Sequence, residues 1–295
     1  MDAWCIGRKF SWMLVLLLGI TRPVEALELI FISPQPSESV DRLSQATAGL
    51  MGADSRVLVS EDPSAVGALP TSAIAVLVGP SALPLADTLP DTMARIAVLV
   101  SRADVQAAPR LDSAIYLEPP LARQLLLGRF LLGGDHPLGI LAQSQQSLQQ
   151  LCDCQQALDA NDVHTAYVDE YSSLNRALVE LLQQTDALVG VYDTELYSAA
   201  NIKNILITAY RQSRPLIGPS SAYIRAGALA TTYSDLQDVA QRLVDVIETG
   251  TKSAWPKADY NPHFKVRFNE QVARSLNMVL PDSKDIAERI RKRER

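Results

Sequence analysis

The stretch LGILAQSQQSLQQLCDCQQALDANDVHTAYVDEYSSLNRALVELLQQTDALV, residues 138–189, decides the fold. It opens on the apolar run Leu138–Ala142. Continuous apolar runs of this length suit parallel strands buried on both faces. Ser144–Ala160 then reads as a helix and Val163–Val168 as a strand. Ser172–Gln184 reads as a helix with Ser172 as its N-cap, and Ala187–Tyr192 as a strand. Downstream, Ala199–Ser213 predicts a helix and Pro215–Gly218 a short strand. This alternation predicts a parallel sheet with helices on both faces. Right-handed crossovers make such a sheet doubly wound.

Upstream, the same rhythm is present in shorter form. Leu27–Ile32, Arg56–Ser60, Ala73–Gly79, Arg95–Val100 and Ala114–Leu117 read as strands, with a helix over Ser39–Met51. A further helix is expected from Pro119 to Leu132, with Pro119 and Pro120 in its first turn and Gly133-Gly134 stopping it. The expected fold class is therefore α/β, with two Rossmann-like lobes of parallel strands. The boundary is expected at Asp135-His136-Pro137, giving one lobe over 27–135 and another over 136–227. Parts of 228–262 are assigned to the first lobe and parts of 263–295 to the second. In that region Ala228–Thr232 and Phe264–Phe268 read as strands. Asp235–Thr249 reads as a helix capped by Ser234, Asn269–Leu276 as another, and Asp282–Arg295 as a charged terminal helix.

The N-terminus has a different character. Arg8 and Lys9 precede the apolar run Phe10–Ile20, and Val24-Glu25-Ala26 supplies small or β-branched residues at the −3 and −1 positions of a cut after Ala26. This is the signal-peptide pattern. It predicts export, with residues 1–26 removed and the mature chain in the periplasm. The run falls short of the about 20 residues that a membrane helix needs, which disfavours the alternative of an uncleaved anchor. Cys5 lies before the apolar run, so it is not placed for lipid attachment at the cleavage site.

Composition narrows the function. The chain of 295 residues is 47% hydrophobic, enough for real cores, and carries a formal net charge of −6. The leader holds Arg8, Lys9 and Arg22 against Asp2 and Glu25, so the remainder is slightly more acidic. An acidic chain with 6% aromatic residues is not expected to bind nucleic acid. His136, His164 and His263 are widely separated, so no metal site is expected. Cys152 and Cys154 lie two apart in a segment that reads as helical, where their side chains diverge. They are expected as ordinary small residues, with a local disulfide as the alternative.

Enzyme signatures are missing. No G-x-S-x-G elbow, Walker A or G-x-G-x-x-G sequence is found, so neither catalysis nor a cofactor is expected. What remains is a set of small polar loops at strand C-termini, where open α/β sheets bind ligands. Ser33 follows the first strand, and Gly79-Pro80-Ser81 a later strand of the same unit. Tyr192-Asp193-Thr194 and Gly218-Pro219-Ser220-Ser221-Ala222-Tyr223 follow strands of the second unit. Hydroxyls and helix N-terminal amides at these loops suit a carboxylate. Tyr192 and Tyr223 suit an apolar or aromatic portion of the ligand, and Asp193 suits an ammonium group. Gly, Pro and Ser are also what such turns contain in any case.

The stretch PLIGPSSAYIRAGALATTYSDLQDVAQRLVDVIETG, Pro215–Gly250, resembles the substrate-binding proteins of ABC transporters related to the tryptophan- and tyrosine-binding type. FKVRFNEQVARSLNMVLPD, Phe264–Asp282, is similar to that family's closing strand and helix. Looser similarity extends back to about Pro119. The resemblance implies two α/β lobes of the type I periplasmic binding protein kind, joined by a multi-strand hinge and closing over a small molecule. It places ligand contacts at Tyr192-Asp193-Thr194, at Ser220 to Tyr223 and near Gly227, whose lack of a side chain suits close backbone approach. Arg225 stands at the family's Arg position, where a hinge or surface salt bridge is as expected as ligand contact. One departure lies in the first lobe. Ser101-Arg102-Ala103-Asp104 stands where the family pattern has an Asp-Pro-type loop. The implied function is solute binding, with an amino-acid-like or other small organic ligand and a membrane permease as partner. The alternative is a periplasmic sensor or interaction module, partnered by another membrane-anchored protein, that kept the fold without transport.

Overall fold

β1 (Glu28–Ser33) carries the unbroken apolar segment Leu29–Ile32, buried throughout. A strand buried on both faces must lie inside a sheet with both faces covered, and β1 pairs on both sides. It runs parallel to β2 (Asp54–Val59) and to β3 (Ile74–Val78). β4 (Ala94–Val100) and β5 (Ser113–Tyr116) continue the sheet in parallel. The computed structural model describes residues 27–108, 110–134, 136–152 and 154–294. The expected signal peptide, residues 1–26, lies outside the described residues.

The second sheet repeats the plan. β6 (Leu138–Ala142) pairs in parallel with β7 (Val163–Tyr167) and β8 (Ala187–Val189). β9 (Leu216–Ile217) and β10 (Ala230–Tyr233) come next, again parallel. Each sheet gains a sixth strand from the C-terminal part of the chain. β11 (Asp259–Tyr260) joins β5 in parallel, and β12 (Lys265–Phe268) joins β10 antiparallel. The orders are β11-β5-β4-β3-β1-β2 and β12-β10-β9-β8-β6-β7. Both contain the doubly wound 2-1-3-4-5 pattern, whose ligands sit beyond strand C-termini at the switch point. The two lobes expected from the sequence are present.

The chain passes between the lobes three times: at 117–120, at 234–235 and at 261–264. The helix Leu236–Glu248 packs Val239, Leu243, Val246 and Ile247 into the first core, beside Leu29 and Ile96. The helix Leu121–Leu132 packs Leu121, Leu125 and Leu127 into the second. In packing, therefore, the first passage lies at 117–120, before that helix, and not at the 135–137 turn expected from the sequence. The reason is that Pro119-Pro120 keeps the chain extended as it leaves β5. The crossing helix is then locked by Gln124. Its Nε2 donates to Gly218 O and Thr231 Oγ1 at 2.7 and 2.9 Å, and its Oε1 accepts from Thr232 N and Oγ1.

Three local expectations change. The helix Leu174–Gln183 is capped by Ser173, which accepts from Arg176 N, rather than by Ser172. The helix Leu236–Glu248 is capped by Asp235 in a reciprocal capping box with Asp238. Ser234, expected in that role, instead donates to His263 O at 2.7 Å and ties the second passage to the third. The single helix expected over Ser144–Ala160 is broken into Gln145–Leu151 and Gln155–Leu158. Cys152 at the break is extended, and Cys152 and Cys154 form a disulfide, with Cα atoms 5.2 Å apart. The diverging side chains expected of an unbroken helix do not apply once the helix ends at Leu151. Among the described residues no helix is long and apolar enough to cross a membrane, and no cluster of His, Cys, Asp and Glu is placed to hold a metal ion.

Candidate interlobe site

Strand C-termini of both sheets converge between the lobes. On the first side, β4 ends in a bulge between Val98 and Val100, with Leu99 at φ 56°. Bulges bend a strand and re-aim the residues beyond them. Here those residues are Ser101-Arg102-Ala103-Asp104, closed by a capping box in which Ser101 accepts from Asp104 N and Asp104 accepts from Ser101 N. This fixes the backbone at Arg102. The neighbouring strand β5 delivers Glu118, which is only 5% exposed. Glu118 Oε1 accepts from the Arg102 backbone N–H at 2.7 Å, while Oε2 is buried without a partner. β11 adds Tyr260, which packs edge-on against Tyr116 at 4.9 Å between centroids.

On the second side, Gly190-Val191-Tyr192 follows β8 and Pro219 follows β9. Gly190 is required there by close approach, since a Cβ would sit 2.8 Å from Pro219 Cδ. Glu118, Gln124, Leu151, Tyr192, Pro219 and Tyr260 together wall a pocket of about 20 Å³. Next to it is a hollow of about 250 Å³, lined by Arg102 from the first lobe and by Gln145, Leu148, Gln149, Gln155 and Tyr167 from the second. Cys152 belongs to both walls, so the disulfide loop is the partition between pocket and hollow. At this side the lobes touch, with Gln106 Nε2 donating to Gln150 O at 3.3 Å.

The electrostatics are set by burial. Burial pushes the Glu118 carboxyl up to about 7, opposed by the backbone N–H of Arg102. Burial also raises the phenols of Tyr116 and Tyr192, and takes Tyr260 up to about 12. These hydroxyls stay protonated and available as donors.

The residues singled out in the sequence are distributed over several places. Tyr192 lines the Glu118 pocket. Asp193 turns back on its own backbone, with Oδ1 accepting from Glu195 N and Leu196 N at 3.0 and 2.8 Å. Thr194 beside it is exposed. Tyr223 donates its hydroxyl to Tyr197 O at 2.8 Å, and Ser220 O accepts from Tyr223 N. Ser221 lines a separate hollow of about 490 Å³ with Arg42, Leu117 and Tyr233. Ser33 donates to Gln35 O. Gly79, at φ 80°, precedes a 3₁₀ helix beginning at Pro80, and Ser81 is exposed. Pro80 borders a hollow within the first lobe, away from Tyr192. Gly227 ends a short helix at φ 123° and packs against Leu206 and Tyr210. Arg225 is exposed.

Glu118, Arg102 and Tyr260 were not among the residues expected. A signal for Glu118 was present: an acid directly between a strand and Pro119-Pro120, where the chain leaves the sheet. The disulfide can be checked directly. Alkylation of denatured protein without reductant is expected to leave Cys152 and Cys154 unmodified in a peptide map. Labelling of both before reduction would rule out the bridge.

No protein-family model matches the chain, and no curated protein matches it. Solved structures do. A substrate-binding protein with adhesive properties from Clostridium difficile, in its ligand-free, open structure, is 12% identical, with a TM-score of 0.63 over 87% of this chain and 97% of that one. A conserved domain protein from Vibrio cholerae is 14% identical, with a TM-score of 0.52 over 90% and 98%. The two sheets, their strand order and this likeness define the two-lobed periplasmic binding protein fold.

Proposed function

We propose that the protein is an exported solute-binding protein that holds a small molecule between its lobes and presents it to the permease of an ABC-type transporter. The observation that carries this reading is Glu118, a buried acid that lines an interlobe pocket and whose Oε2 has no hydrogen-bond partner. Buried acceptors are almost always paired, and a solute donor completes this one. The three interlobe passages supply a hinge, and a solute that touches both lobes favours the closed form. The contacts assigned to the solute are Glu118, Arg102, Tyr192 and Tyr260. The leader pattern of residues 1–26 supports export to the periplasm.

Small-angle scattering and thermal melting across a panel of amines, polyols, amino acids and organic acids test this. A ligand is expected to raise the melting temperature by mass action and to reduce the radius of gyration or sharpen the closed population. A folded protein that responds to no class in either measurement would overturn the reading in favour of a sensor or interaction module.

A further inference from the structure

The Cys152–Cys154 bridge joins residues two apart in sequence. A disulfide steadies a fold mainly by closing a loop in the unfolded chain, and more so for longer loops. So short a loop adds little, and the bridge is no staple for the second lobe. Its effect is local, and it falls at the cleft. The helix Gln145–Leu151 ends there, with Cys152 extended at φ −147° and ψ 151°. The sequence across the break, Leu151-Cys152-Asp153-Cys154-Gln155, holds neither Gly nor Pro, the residues that ordinarily stop a helix. The apolar spacing of Leu148, Leu151 and Leu158 continues through it. The pieces on either side, of 7 and 4 residues, are shorter than a helix that sustains itself. The chain therefore favours one helix over 145–158, and the bridge holds it out of that form.

The break also sets a contact between the lobes. In an unbroken helix the carbonyl of Gln150 accepts from the backbone N–H four positions on, at Cys154. Here the helix ends at Leu151, and Cys154 begins the next short helix as its N-cap. Gln150 O is left among the last-turn carbonyls that need another donor. It accepts from Gln106 Nε2 of the first lobe at 3.3 Å. Cys152 meanwhile stands in the partition between the pocket at Glu118 and the larger hollow. Bridge, partition and cross-lobe hydrogen bond belong to one local conformation.

We infer that the Cys152–Cys154 disulfide is a redox-sensitive latch on the interlobe cleft. Oxidised, it keeps Cys152 in the partition and leaves Gln150 O to the first lobe. Reduced, the helix runs on through 152–154, the Cys154 N–H takes Gln150 O back, and the lobes part more readily. The reductant is a dithiol. Cys152 and Cys154 both line the hollow of about 250 Å³, so a small dithiol reaches the bridge from the cleft. One of its thiolates attacks a bridge sulfur, breaks the S–S bond and expels the other cysteine as a thiolate. Its second thiol then displaces the first cysteine from the mixed disulfide. Both cysteines end as thiols, taking the two protons of the dithiol, which ends as a disulfide, oxidised by two electrons. The latch acts on the lobes themselves, with or without a solute.

Dithiothreitol on the purified, solute-free protein tests this. Alkylation under native conditions, read by mass, is expected to label Cys152 and Cys154 only after reduction. Reduction is expected to slow hydrogen exchange at the Cys154 amide about tenfold, as it takes up the helical bond. Exchange over Arg102–Gln106 should quicken, and the radius of gyration from small-angle scattering should rise. Cys152→Ser/Cys154→Ser should reproduce these changes without reductant and melt within a few degrees of the oxidised protein. A bridge that yields to dithiothreitol only after denaturation would overturn the latch. So would a reduced protein in which either the Cys154 exchange or the radius of gyration is unchanged. A fall in melting temperature of more than about 10 °C on reduction would make the bridge a staple instead. The reduced wild type keeps the test valid if the double variant folds poorly. No solute enters any of these measurements, so their failure leaves the solute-binding reading untouched.

Discussion

Ending the chain at Asp282 is expected to unfold the second lobe. The helix Ser283–Glu294 buries Ile286 and Ile290 completely in the second core, with Ala287 beside them. Each isoleucine contributes about 1.5–3 kcal/mol by burial. The helix also supplies the partner of a buried charge. Arg123, 5% exposed, donates from Nε and Nη2 to the two carboxylate oxygens of Glu294 at 2.7 and 3.1 Å. It reaches Asn261 O through Nη1 and lies 4.0 Å over the Phe264 ring. Only the Arg123 side of this pair is buried, so losing Glu294 costs less than a fully buried pair would, about 1–3 kcal/mol. Even with incomplete additivity, the loss approaches the about 5–15 kcal/mol that holds a domain folded. Circular dichroism melting should show the transition of the second lobe lost or shifted far downward. In the full chain, Glu294→Ala isolates the ion pair and is expected to cost about 1–2 kcal/mol. A truncated protein that melts like the full chain would show that the helix is an ornament on a core complete without it.

That helix also shows which features can be read from sequence. Its amphipathic spacing marks it as a helix, but nothing local says that it covers the second sheet. The same holds for Leu236–Glu248, whose apolar stripe is plain while its place against the first core is not. Strands such as β3 and β6 are legible because every residue is apolar, which only a sheet covered on both faces explains. β11 is not legible. Its two residues, Asp259 and Tyr260, are a strand only because β5 offers them an edge. The break at Cys152 was hidden for a related reason. The apolar period of Leu148, Leu151 and Leu158 runs through it, and only the covalent bridge shows that the helix does not.

The candidate site was legible by location and largely illegible by residue. The proposed site lies at strand C-termini, where the sequence also pointed, and Tyr192 lines the Glu118 pocket. The hydroxyls of Ser33 and Tyr223 and the carboxylate of Asp193 were plausible from their chemistry, yet the fold commits them to backbone partners. Whether a polar side chain is free depends on neighbours far away in sequence. Glu118 is free because Arg102, sixteen positions earlier, satisfies only one of its oxygens. The segment Ser101–Asp104, a departure from the resembling family's pattern, is what creates that arrangement.

Glu118→Gln is expected to stabilise the ligand-free protein at pH 8. The ordinary value for this carboxyl is 4.5, and burial takes it to about 7 in the folded protein. The folded state therefore holds the proton more tightly than the unfolded chain. Its contribution to stability is fully present below about 4.5, declines as pH rises to about 7, and stays lost above that. At about 1.4 kcal/mol per unit, the ionised group costs the fold about 3 kcal/mol at pH 8. Glutamine keeps the acceptor for the Arg102 N–H and cannot ionise. It leaves an unpaired amide in the pocket, which returns about 1 kcal/mol of the gain. Chemical denaturation should show the variant about 2 kcal/mol more stable at pH 8, with the difference vanishing or reversing near pH 5. A variant less stable at pH 8, or a difference independent of pH, would show that Glu118 is already satisfied within the fold. The expected direction is opposite to that for Glu294→Ala, though both remove a carboxylate. One acid neutralises a buried cation, and the other keeps a buried acceptor open at the expense of stability, as binding sites commonly do. Greater stability combined with weaker solute binding in the same variant would separate the role of Glu118 in the site from any role in folding.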